Sequence, residues 1–152
     1  MNVLSVKYIL MQLSFKGICR MIPKHSVMRV ARPTDNLEAL TQMYVDGLGF
    51  QVIGSFKDHG GFNGSILGHP NHSYHLEFTN HSGTIVGNAP TQDNLLVFYL
   101  PCRVEWTKNC DAIETAGFER VQSYNPYWES KGKTYKDLDG YRIVLQNEAW
   151  TD

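Results

Sequence analysis

Two side chains placed two positions apart are the first candidates for chemistry. The run Tyr74-His75-Leu76-Glu77-Phe78-Thr79 alternates apolar and polar residues. As a strand it turns His75 and Glu77 to one face and Tyr74, Leu76 and Phe78 to the other. An imidazole titrates near neutral pH, so His75 is a candidate general base, with Glu77 beside it as a second catalytic or ligand-contacting group. The alternative for Glu77 is an ion pair with Arg29 or Arg142. In Arg142-Ile143-Val144-Leu145, Arg142 has the parity of Val144 and turns away from Ile143 and Leu145. Two arginines near one carboxylate would leave one cation for an anionic molecule. With Asn94, these residues form an expected pocket of Arg29, His75, Glu77, Asn94 and Arg142. Asn125-Pro126-Tyr127-Trp128 puts two large aromatics in an irregular loop, suited to a lid at the pocket mouth or to packing on the core.

Other polar residues are less informative. His59, His69, His72 and His81 sit among turn-forming residues and read as solvated. His69-Pro70-Asn71-His72 lacks the strand or helix spacing of a reliable metal site. The chain has no phosphate-cradling glycine loop, nucleophile elbow or HExxH sequence, and Gly60–Gly64 reads as a turn. Cys19, Cys102 and Cys110 are odd in number and form no CxxC, which suits a reduced, cytoplasmic protein.

The elements that position these residues come in two similar halves. Ser26–Arg32 reads as a strand closed by Pro33. Thr34, Asp35 and Asn36 offer helix caps, with Glu38 as a capping-box partner of Asp35. Leu37, Leu40, Met43, Tyr44 and Leu48 follow at helical spacing, and Gly47 and Gly49 close the helix. Strands are expected over Phe50–Phe56, Phe62–Leu67 and Tyr74–Thr79. After a polar connection the order restarts. It runs from a strand at Asn94–Leu100 through a helix at Arg103–Ala116, with Trp106, Cys110 and Ile113 on one face, to strands at Phe118–Gln122, Thr134–Lys136 and Tyr141–Gln146. Leu48-Gly49-Phe50 matches Ala116-Gly117-Phe118, and Leu76-Glu77-Phe78 matches Ile143-Val144-Leu145, at nearly equal offsets. This spacing indicates an internal duplication.

The chain of 152 residues suits one domain. Residues 21–152 are read as that domain, with modules at about 26–80 and 93–147. Residues 1–20 are an N-terminal extension, interrupted by Lys7 and Lys16, that fits neither a spanning helix nor a signal peptide; Met21 is an alternative start. A net charge of −1 gives no bulk attraction to nucleic acid or an anionic membrane.

Together, Arg29-Val-Ala-Arg-Pro-Thr-Asp-Asn-Leu-Glu-Ala-Leu, Met43-Tyr-Val-Asp-Gly-Leu-Gly-Phe50, Tyr74-His-Leu-Glu-Phe78 and Asp137-Leu-Asp-Gly-Tyr-Arg-Ile-Val-Leu145 resemble the vicinal oxygen chelate superfamily. This superfamily includes glyoxalase I, extradiol dioxygenases and bleomycin-resistance proteins. The resemblance implies an α+β fold of two βαβββ modules whose curled sheets surround a pocket, commonly in a homodimer. It also implies four metal-ligand positions, which fall on Arg29, Glu77, Asn94 and Val144. A one-residue slip would substitute Met28 or Asp93 without restoring a set. Arginine and valine offer a metal no lone pair, and asparagine is a poor ligand for transition metals. The expectation is therefore a protein without metal or cofactor that binds a small organic molecule, anionic or aromatic. The alternative is a glyoxalase-like lyase, isomerase or dioxygenase with an atypical site.

Overall fold

The computed structural model describes residues 22–151; the expected extension over residues 1–20 lies outside them. The first module runs β1 (Met28–Pro33), α1 (Leu37–Leu48), β2 (Gln51–His59), β3 (Phe62–Gly68) and β4 (Tyr74–His81). The second runs β5 (Leu95–Tyr99), α2 (Arg103–Thr115), β6 (Glu119–Val121), a short 3-10 turn at Pro126–Glu129, β7 (Gly132–Lys136) and β8 (Arg142–Gln146). Each module forms a four-stranded mixed sheet, ordered β1-β4-β3-β2 and β5-β8-β7-β6. In each, the first strand lies parallel to the last and the other pairs are antiparallel. The expected α+β fold of two βαβββ modules is thus observed. Among the described residues no helix is long and apolar enough to cross a membrane.

Strand alternation sorts the side chains as expected. Leu76, Phe78, Ile143 and Leu145 are buried against Leu40, Met43, Tyr44, Trp106, Cys110 and Ile113 in one core shared by both modules. Tyr44 joins the halves, its ring meeting Phe78 at 4.8 Å and Phe118 at 5.3 Å, both edge-on. Gly47 lies inside α1, where glycine costs about 1 kcal/mol relative to alanine. The close fit explains it: a Cβ here would lie 2.8 Å from Phe118 Cε2.

The first helix begins differently from expectation. Asn36 is its cap residue and makes no side-chain cap bond. Instead of pairing with Glu38, the Asp35 carboxylate accepts from the backbone N–H groups of Val86 and Gly87, at 3.0 and 2.8 Å. It therefore anchors the inter-module connection. Gly49 ends α1 in the left-handed conformation at φ 67°.

Candidate functional site

The face of the first sheet turned away from the helices carries Arg29, His75 and Glu77. Arg29 stands opposite His75 in the parallel β1–β4 ladder, and Glu77 follows two residues later. Arg29 Nη1 donates to Glu77 Oε2 at 2.5 Å, and Arg29 Nη2 lies 3.4 Å from His75 Nε2. A guanidinium only donates, so His75 Nε2 is the acceptor and Nδ1 carries the proton in that contact. His75 Nδ1 is buried without a partner among the described residues. The Arg29 side chain is 44% exposed and that of Glu77 15%, so the pair remains within reach of a solute. His75 also lines a depression of about 440 Å³ with Val52, Ile53, His69, His72 and Tyr74.

The other expected pocket residues lie elsewhere. Arg142 is buried and donates to Gln92 Oε1 at 2.8 Å and to the Gln122 carbonyl at 3.1 Å, not to Glu77. Asn94 precedes β5 and lines a separate cavity of about 390 Å³ with Val30, Arg32 and Tyr141. The ladders explain this placement. Leu95 pairs with Arg142 as Arg29 pairs with His75, so Leu95, rather than Asn94, occupies the position equivalent to Arg29. Tyr127 and Trp128 sit on the 3-10 turn, their rings 4.9 Å apart. Glu129 anchors this turn by accepting from the Ser123 backbone N–H and hydroxyl, both at 2.7 Å. Those bonds hold the Glu129 carboxyl below its ordinary range. The Trp128 carbonyl lies close over Gly132, so the segment packs on the second sheet beside Gln146. His59, His72 and His81 are exposed, as expected, although His59 and His81 are the last residues of β2 and β4 rather than turn residues; His69 is half-buried with its ring edge-on to Phe50 at 5.4 Å.

A second polar group escaped the sequence reading. Arg32 and Asp137 are buried, and Arg32 Nη2 and the Tyr44 hydroxyl meet at 2.6 Å. That hydroxyl in turn donates to Asp137 Oδ2 at 2.8 Å. The Arg32 guanidinium lies over the Tyr141 ring at 4.2 Å. Burial pushes the Tyr44 hydroxyl and the Asp137 carboxyl above their ordinary values, opposed in both by the Arg32 cation. The available signal was parity: Arg32 alternates in phase with Val30 and pairs with Phe78, so it must face the helices.

The metal positions implied by the superfamily resemblance do not fit an ion here. In register they hold Arg29, Glu77, Leu95 and Val144, and the one carboxylate is engaged by a guanidinium. Among the described residues no group of three or more His, Cys, Asp or Glu is gathered to hold a metal.

Comparison with known proteins agrees with this architecture. Residues 28–79 match the YycE-like N-terminal domain and residues 93–147 the YycE-like C-terminal domain. The chain is 42% identical over 120 residues to the uncharacterized protein YycE of Bacillus subtilis (strain 168), covering 79% of this chain and 86% of that protein. A crystal structure of a YycE protein of unknown function from Bacillus subtilis superposes with a TM-score of 0.78 at 39% identity, covering 85% of this chain and 94% of that one. Two more distant structures share the fold. The trypanothione-dependent glyoxalase I of Leishmania major has a TM-score of 0.63 at 16% identity, covering 80% and 86% of the two chains. TnmS3, an antibiotic-binding protein from Streptomyces sp. CB03234, has a TM-score of 0.58 at 19% identity, covering 84% and 98%. With both domains matched in order and more than two thirds of each chain aligned, this chain belongs to the YycE-like family and has the vicinal oxygen chelate fold.

Proposed function

We propose that the chain binds a small organic anion without a metal, on the helix-free face of its first sheet. The observation that carries this reading is the Arg29–Glu77 pair. Arg29 engages Glu77 through Nη1 while its side chain stays 44% exposed. Its remaining N–H groups suit a carboxylate or phosphonate. The depression beside His75 offers room for the apolar remainder. A relative of the same fold is an antibiotic-binding protein, which makes sequestration a reasonable role.

The test is a thermal-shift screen of the full chain against small aromatic carboxylates and alkylphosphonates, repeated on Arg29→Ala. An acid should raise the melting temperature of the wild type and lose that effect in the variant. Equal stabilisation of both proteins would place the acid elsewhere. Metal analysis that finds one tightly held ion per chain, released by Glu77→Ala, would overturn the metal-free reading.

A catalytic reading rests on one observation, the His75 Nε2 atom 3.4 Å from Arg29 at the edge of the same depression. If His75 is a general base, turnover of a bound substrate should vanish in His75→Gln while binding persists.

A further inference from the structure

A further, smaller cavity lies between the modules, on the side of the first sheet that faces the helices. Its volume is about 200 Å³, and its lining includes Phe50, His69 and Tyr74 from one module and Phe98 and Leu100 from the other. Four of these rings form a row, His69–Phe50–Phe98–Tyr74. Phe50 and Phe98 are 6.1 Å apart, Tyr74 and Phe98 6.4 Å, and Phe50 and His69 5.4 Å between centroids. None of the lining side chains is a carboxylate, lysine or arginine.

Three polar side chains interrupt this apolar wall: His69, Tyr74 and Asn109, whose Nδ2 donates to the Glu105 carbonyl at 2.8 Å. Among the described residues neither the Tyr74 hydroxyl nor a His69 ring nitrogen has a hydrogen-bond partner. Both residues are only half-buried and these atoms still reach solvent, so each is free to bond a molecule that enters the cavity. Both residues also line the larger depression beside His75, so the two spaces meet at the His69–Ser73 turn.

We propose that this inter-module cavity is a binding site for a neutral, single-ring aromatic bearing a hydroxyl group. A dry apolar cavity of about 150 Å³ is enough to admit benzene. The present volume therefore suits one ring with a small substituent. Ring faces and edges from Phe50, Phe98 and Tyr74 favour an aromatic occupant over an aliphatic one. The absence of charge in the lining selects a neutral molecule, because an ion would enter without a counter-charge. Tyr74 and His69 supply a donor and an acceptor for the hydroxyl. Burial also raises the Tyr74 phenol above its ordinary range, which keeps its proton in place. The site goes beyond the anion-binding reading and uses neither Arg29 nor Glu77.

The experiment titrates the full-length, isotope-labelled protein with phenol, toluene and benzoate, following backbone amide resonances. Phenol should shift Phe50, Phe98 and Leu100 saturably, toluene more weakly, and benzoate should leave them unmoved. Tyr74→Phe keeps the shape and removes one hydroxyl. It should weaken phenol about 5-fold while leaving toluene unchanged. Leu100→Phe, which reduces the space, should weaken both. Phenol shifts confined to residues near Arg29 and Glu77, or phenol affinity unchanged by both substitutions, would overturn the proposal.

Discussion

The Tyr44 hydroxyl of α1 donates to Asp137 Oδ2 in the β7–β8 turn at 2.8 Å, linking positions 93 apart in the chain. Arg32 reaches both, at 2.6 Å to the tyrosine and 3.5 Å to the carboxylate. All three are buried, so removing one leaves polar atoms without water. Tyr44→Phe should cost about 1–3 kcal/mol of stability. Asp137→Ala, which strands the Arg32 cation, should cost more, about 3–5 kcal/mol. Urea unfolding of the two variants checks the order; a smaller loss for Asp137→Ala would contradict the network.

Gly47→Ala tests packing against propensity. On propensity alone it should stabilise α1 by about 1 kcal/mol. The new Cβ, however, would meet Phe118 Cε2 at 2.8 Å and Ala116 Cβ at 3.0 Å. The expected result is a net loss of about 1–3 kcal/mol from overpacking. Phe118→Leu in the same background should recover part of it.

The two arginines once expected to share Glu77 should now separate by phenotype. Arg142→Ala leaves Gln92 and the Gln122 carbonyl without their donor and should lower stability by about 1–3 kcal/mol. Arg29→Ala breaks a half-exposed pair and should cost under about 1 kcal/mol. Thermal melts of both variants without ligand make the comparison.

Glu129 gives a pH signature. Its folded-state carboxyl is held below the ordinary value, chiefly by the Ser123 hydroxyl and then by the Ser123 N–H. The unfolded chain therefore takes up the proton first as pH falls. The contribution of Glu129 is present above the unfolded carboxylate value and is lost as pH drops through the folded one. The difference in melting temperature between wild type and Glu129→Gln should be largest near neutral pH and should shrink as the pH falls through and below the ordinary carboxylate range. A difference independent of pH would show that the carboxylate charge is not what holds the Tyr127–Trp128 turn.

Period-two alternation and matching Gly-Phe anchors made the paired modules legible, because burial on one sheet face leaves a direct trace in residue order. Leu76 with Phe78 and Ile143 with Leu145 show this most clearly. Register across strands left a weaker trace. The superfamily resemblance puts a ligand position on Asn94, whereas the β5–β8 ladder puts Leu95 at the place equivalent to Arg29. Partner choice left almost none. Nothing local distinguishes Arg142, which meets Gln92, from Arg29, which meets Glu77. Arg32 was legible only in part: its parity shows that it is turned inward, but Asp137 arrives from the far module.

The polar link between the halves makes their recognition directional. Phe98 holds in the second module the place of Arg32 in the first, opposite Leu145 as Arg32 is opposite Phe78. The turn of the first module corresponding to Asp137–Tyr141 is His69–Ser73, which contains no acidic residue. Two first modules packed in this geometry would each bury a guanidinium with no acid to receive it, and two second modules would each bury an aspartate with no base. The two modules therefore share one topology but differ in polarity. Each discriminates against its own kind and selects the other, so the chain's near-symmetry is a lock-and-key relation between its own parts.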